Sequence, residues 1–180
     1  SGIPFTDPSG DRLRSWLGID KETFYNDEKI AIVPMGFCFP GLDAQGGDLP
    51  PRKECAPAWR EKVFAGLPNL KLMLPIGLYA QSWHLNGKLK DNMTDTAKAW
   101  RDYGPKIIPL PHPSWRNNAW LKKNPWFEAE LLPHLRRRVS RHSRNPARGA
   151  RGAGAELSFV RAASFVVAIG QVADRQRGQP

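Results

Sequence analysis

An α/β domain with a parallel sheet is predicted by three features of the chain: short apolar runs, segments of helical periodicity between them, and Gly- or Pro-rich loops after the runs. The first element is a helix from Pro8 to Gly18. Ser9 stands where an N-cap is expected, Leu13, Trp16 and Leu17 share one face, and Gly18 stops the helix. Ile30 to Met35 is a continuous apolar run interrupted only by Pro34, the pattern of a strand covered on both faces. A Gly/Pro-rich loop follows from Gly36 to Pro51, and Cys55 to Ala65 reads as a helix. Leu70 to Ile76 is a second strand that feeds the helix start Gly77-Leu78-Tyr79-Ala80-Gln81. Thr94 to Tyr103 is predicted helical with Thr94 or Asp95 near its N-cap, Lys106 to Leu110 is a third strand, and Pro125 to Arg138 is a helix with Phe127, Leu131 and Leu135 facing inward.

The chain has 180 residues, 41% of them hydrophobic, which suits one domain of residues 1–138 plus a tail of residues 139–180. The tail contains no Lys and is dominated by Arg, Ala and Gly, so it is expected to be a flexible linker or tail. Its apolar patch from Leu157 to Ile169 suggests one more element, for which nothing upstream predicts a packing site. Twenty-seven Lys and Arg face 17 Asp and Glu, a net charge of +10, and the tail contributes +5 of it through seven Arg and two acids. That excess favours a polyanionic partner such as nucleic acid over a neutral metabolite. Seven Trp add stacking capacity, most of which is expected to serve the core. No stretch approaches the roughly 18 apolar residues of a membrane span and no signal peptide is evident, so no membrane contact and a soluble, cytoplasmic location are expected. Two cysteines do not make a disulfide framework. Ser1 enters structured-looking sequence directly, and a preceding segment is expected to be missing.

The densest chemistry lies in Leu110-Pro111-His112-Pro113-Ser114-Trp115-Arg116-Asn117-Asn118. Pro109, Pro111 and Pro113 lock φ and bias their neighbours toward extended backbone, so His112 is presented rigidly after Ile107-Ile108. Two readings are open on these residues: a catalytic imidazole, or a bystander in a surface turn. Ligands of open α/β sheets bind at the carboxyl ends of strands, so the loops after Met35, Ile76 and Leu110 are expected to converge. Gly77 allows close approach of a helix N-terminus, and Asp7 is either a helix-capping carboxylate or a site acid.

Gly2-Ile3-Pro4-Phe5, Asp7-Pro8-Ser9-Gly10-Asp11, Gly77 to Gln81, and His112-Pro113-Ser114 with Asn117 occur in the order and spacing of the uracil-DNA glycosylase superfamily. The resemblance covers about residues 1–138 and is strongest to the bacterial iron-sulfur branch. It implies a three-layer α/β/α sandwich around a short parallel sheet. Cys38 and Cys55, separated by 16 intervening residues, resemble half of that branch's [4Fe-4S] site, whose other pair is absent, so a cluster is expected to be incomplete in this chain. Cysteines so isolated are otherwise ordinary small buried residues. A strand ending in a Gly-x-x-Pro-Gly-like motif, found upstream in the superfamily and expected mid-sheet, has no match here.

The implied activity is hydrolysis of the bond joining uracil or a related deaminated base to deoxyribose in DNA, after the nucleotide is flipped out. By resemblance His112 stabilises the charge on the departing base, and Asp7 lies near the attacking water. Phe5 stacks on the base or packs in the core. Asn117 and Asn118 brace the loop or touch the backbone. Ser9 and Ser114 suit phosphate contacts, Trp115 and Arg116 match a side chain inserted into the vacated stack, and Lys122 and Lys123 add phosphate affinity. Pro34 stands about where several branches place an Asn that reads the base edge, which points to a broader range of bases. A monomer is expected. The competing functional class is a non-catalytic protein that binds damaged or single-stranded DNA, or an inactive fragment of the same fold.

Overall fold

The computed structural model describes residues 3–45, 49–143 and 165–169. Helix α1 (Pro8–Leu17) is capped by Asp7, whose carboxylate accepts from the Gly10 amide, so the expected cap at Ser9 is displaced by two residues. Pro8 at the first helical position has no amide to satisfy, which leaves the cap to the residue before it. A short helix α2 (Lys21–Phe24), capped by Asp20, was too brief to show a period in the sequence, yet it buries Phe24 completely.

Strands β1 (Ile30–Pro34) and β2 (Leu72–Ile76) fall within the two predicted apolar runs. Between them lies α3 (Cys55–Ala65), with the predicted bounds. After β2 come α4 (Leu78–His84) and α5 (Met93–Lys98). The predicted helix from Thr94 to Tyr103 is thus divided: α5 ends at Lys98 and a tighter 3₁₀ turn covers Trp100–Tyr103. Its cap is Asn92, whose side chain accepts from the Asp95 amide at 2.9 Å, rather than Thr94 or Asp95.

The expected third strand at Lys106 to Leu110 is only partly formed. The segment runs parallel to β2 and makes isolated bridges, Met73 with Ile107 and Ile76 with Leu110. Pro75 and Pro109 lack the amides a continuous ladder needs. A full third strand is β3 (Phe165–Ile169), which lies between β1 and β2 and pairs parallel to both in the order β1-β3-β2. Residues 165–169 of the segment expected to be a flexible tail therefore lie in the sheet, at its middle position. Residues 144–164 and 170–180 lie outside the described residues.

After a 3₁₀ turn at Trp115–Asn117, α6 (Asn118–Lys123) leads to a π-helical turn at Phe127–Leu131 and then to α7 (Leu132–Ser143). Pro133 has no amide for the carbonyl four residues back and its ring crowds that carbonyl, so the turn before it widens. The helical run continues past the expected boundary at residue 138 to Ser143.

Side chains alternate along β1. Ile30 and Ile32 join a large cluster with Leu13, Leu17, Leu72, Leu74, Phe127 and Leu135. Ala31 and Val33 join a smaller one with Met35, Ala56, Leu67 and Ala80. This period of two is what a strand imposes, and it places α1 and α7 with one cluster and α3 and α4 with the other.

Candidate active site

The carboxyl end of β2 sets the centre of the site. Leu110 carbonyl accepts from the Gly77 amide at 3.0 Å and from Gln81 Nε2 at 2.8 Å, so α4 clamps the start of the His112 loop. Gln81 is fully buried and spans from α4 to that carbonyl. Gly77 has φ 78°, a conformation that favours glycine, and a Cβ placed there would stand 3.9 Å from His112 Cβ. Helix α4 thus begins against the imidazole loop, as expected from the residues after Ile76.

Two further carbonyls of the loop are held by side chains. Asn117 Nδ2 donates to His112 carbonyl at 2.6 Å, and Arg12 Nη1 donates from α1 to Ser114 carbonyl at 2.9 Å. The Asn117 amide also reaches Ser114 carbonyl at 3.1 Å. Carbonyls 110, 112 and 114 are therefore pinned in alternation, and the Pro residues between them supply no competing donors. His112 itself is half-buried.

Phe5 approaches His112 from the chain's first segment, with ring centroids 6.4 Å apart and planes inclined by 29°. It is 7% exposed, lies edge-on to Phe24 and belongs to the large core cluster, so the core alternative describes its surroundings. Its φ of 61° is unusual for a bulky residue. The strained turn is held by its carbonyl, which accepts from Arg14 Nη1 at 3.2 Å and Tyr25 Oη at 2.9 Å. Gly10 is packed directly beneath that carbonyl.

Asp7 is exposed and caps α1, accepting also from Ser9 Oγ at 2.6 Å. Ser9 is buried and its hydroxyl donates to Asp7. Ser114 is half-buried. Trp115 is 73% exposed, the most open of the large apolar side chains among the described residues, and the exposed Arg116 holds its guanidinium carbon 5.9 Å from the Trp115 ring. Trp59 and Trp83 are exposed as well. Lys122 and Lys123 are exposed at the C-terminal end of α6, where the helix dipole favours cations.

The carboxyl end of β1 is arranged differently. Arg60 of α3 is buried and donates through Nη1 to the carbonyls of Val33 at 3.3 Å and Pro34 at 2.8 Å. Its Nη2 lies 2.9 Å from His84 Nε2. Burial lowers Arg60 to about 10, and burial together with the neighbouring guanidinium lowers His84 to about 4. A neutral His84 accepting through Nε2 matches that shift. Pro34, which stands where a base-reading Asn was sought, thus has its carbonyl engaged by Arg60.

Cys38 is exposed and Cys55 is half-buried at the first position of α3. Among the described residues no three His, Cys, Asp or Glu side chains come together as a metal site. A [4Fe-4S] cluster takes four thiolates and the sequence supplies two, so the donor set does not fit one, and no chemical step below uses it. No helix among the described residues is long and apolar enough to cross a membrane.

The sequence reading missed Arg12 and Arg60, and it named Gln81 only as part of the segment from Gly77 without its bond to Leu110. Each acts by donating to a distant carbonyl, and no local pattern announces such a contact. The pinned His112 loop, the Phe5 turn and the α4 start all fall within residues 1–136, which match the family model described as the Uracil DNA glycosylase superfamily, and the chain belongs to that superfamily.

Proposed function

We propose that the protein is a DNA repair glycosylase that hydrolyses the N-glycosidic bond of uracil or related deaminated bases in DNA after flipping the nucleotide from the stack. The observation that carries this reading is the His112 loop, whose three alternate carbonyls are tied down. A rigid imidazole suits stabilisation of charge that develops only in the transition state. Water oxygen bonds to C1′ and sheds a proton while the bond from C1′ to the base nitrogen breaks, its electron pair leaves with the base, and the departed base takes up that proton. His112 donates a hydrogen bond to the base oxygen on which that charge collects. The products are free base and an abasic site.

In this proposal Asp7 combines two parts. It holds the N-terminus of α1, and its exposed charge, two residues from Phe5, favours the sugar cation. Phe5 forms the wall of the base pocket beside His112. Trp115 with Arg116 enters the gap left by the flipped base, and Arg116, Lys122, Lys123 and Ser114 face the phosphates. The finer architecture proposed is a three-layer α/β/α sandwich, which the two clusters on alternating β1 side chains support. The protein is proposed to act as a monomer.

The test is single-turnover release of uracil from a labelled single-stranded oligonucleotide at low salt. His112→Ala is expected to slow release by about 100- to 1000-fold. Release that is unchanged in His112→Ala would remove the imidazole from the mechanism. Tight DNA binding with no release by the parent protein would favour a non-catalytic binder, which the capping engagement of Asp7 makes the competing reading.

A further inference from the structure

Strands β1 and β2 share no backbone hydrogen bond among the described residues; each is joined to β3 across all five of its residues. Adjacent strands lie about 4.8 Å apart, so two strands flanking a common partner are separated by about 9.6 Å, beyond any hydrogen bond. The space between β1 and β2 is thus a slot one strand wide, with unpaired amides and carbonyls on both of its edges when β3 is out. Phe165-Val166-Val167-Ala168-Ile169 has the continuous apolar composition of a strand central to a parallel sheet. It lies outside the 1–136 match that shows the family.

From these observations we infer that the slot between β1 and β2 is a docking surface for the chain's own C-terminal strand, and that insertion of β3 assembles the site. The connection from Ser143 to Phe165 contains 21 residues. At about 3.4 Å per residue that number of residues can span about 70 Å, while a domain of this size is only about 40 Å across, so the chain's own strand is within reach of the slot.

The register explains the link to the site. Ile169 pairs with both Pro34 and Ile76. Pro34 is the residue whose carbonyl Arg60 holds, and Ile76 precedes Gly77, which binds Leu110 and abuts His112. Insertion sets the spacing between the end of β1 and the end of β2, and so between the Arg60 cluster and the imidazole loop. The consequence for activity rests on the glycosylase reading, whereas the docking itself does not.

Hydrogen exchange on the full chain, read by mass spectrometry, tests this together with base release. Amides of 165–169 are expected to exchange about a thousand-fold more slowly than an unstructured chain, at the level of β1 and β2. Val167→Pro, which removes a central amide, is expected to expose all three strands to exchange and to abolish uracil release. Exchange of 165–169 at the unstructured rate in the parent protein would overturn the inference, with no need for the variant to fold. Protection found only in a dimer would assign the slot to a second copy and overturn it too. Protected strands in a protein that releases no base would sustain the docking and sink the glycosylase reading alone.

Discussion

Replacing Gly10 with Ala separates helix propensity from the tertiary demand of the Phe5 turn, because the two effects have opposite signs. Gly10 lies in the first turn of α1, and Ala in a helix is favoured over Gly by about 1 kcal/mol. A Cβ at this position, however, would fall 1.9 Å from Phe5 carbonyl oxygen and 2.6 Å from its carbon. These are backbone atoms, and the oxygen is held by Arg14 and Tyr25. The turn must open, which costs about 1–3 kcal/mol in overpacking and about 1.5–3 kcal/mol if the guanidinium bond is lost. Set against the propensity gain, the net destabilisation is about 1.5–5 kcal/mol, a melting shift of about 3–20 °C downward for a chain of this size. Thermal unfolding by circular dichroism measures it. Because Phe5 carries the wall beside His112, base release measured well below the melting point should fall as well. A variant that melts at or above the parent temperature would refute the account, since the contact with Phe5 would then impose no constraint.

Three further outcomes are expected. His84 is held near pKa 4 in the fold against 6.5 ordinarily, so the unfolded chain binds the extra proton between those values. Stability is then full above pH 6.5 and declines by about 2–3 kcal/mol as pH falls toward 4; melting followed across that window should flatten in His84→Gln, and an equal slope in the variant would contradict the assignment. Asp7→Asn keeps a competent N-cap while removing the charge, so it should melt within about 0.5 kcal/mol of the parent yet release base about 100-fold more slowly, whereas Asp7→Ala should also lose about 1 kcal/mol in denaturant titration. Equal release rates for Asp7→Asn and the parent would reduce Asp7 to a cap. Trp115→Ala should weaken binding to single-stranded DNA by about 1–3 kcal/mol in fluorescence anisotropy without changing the melting temperature, and a lowered melting temperature would show that the ring packs rather than projects.

Much of the fold was legible because its strands are buried on both faces and its loops carry Pro and Gly. Ile30–Pro34 and Leu72–Ile76 read directly as apolar runs, and Cys55–Ala65 as the helix between them. What was illegible has a common physical cause, namely that tertiary partners override local signals. Lys106 to Leu110 has the composition of a strand, but Pro75 and Pro109 reduce its ladder to isolated bridges. Phe165–Ile169 has the same composition inside an Arg/Ala/Gly-rich segment, and only the slot between β1 and β2 explains why it is a strand. Asp7 took the cap from Ser9 because the proline between them fills the first helical position.

The same distinction runs through the site. His112, Asn117 and Gly77 were visible because each carries an uncommon residue type in a rigid or permissive place. What makes the imidazole loop stiff is contributed from elsewhere: Gln81 from α4 and Arg12 from α1 each donate to a loop carbonyl, while the loop's own Asn117 holds the carbonyl between them. These three bonds act in series along five residues. Losing one leaves its neighbours to hold the backbone, whereas losing two frees the segment around His112. Gln81→Leu should therefore spare much of the activity, Arg12→Ala likewise, and the double variant should lose more than the product of the two single effects. Non-additivity of that sign is the signature of a loop held as a unit. Independent effects would mean instead that each donor fixes only its own residue, and that the prolines alone keep His112 in place.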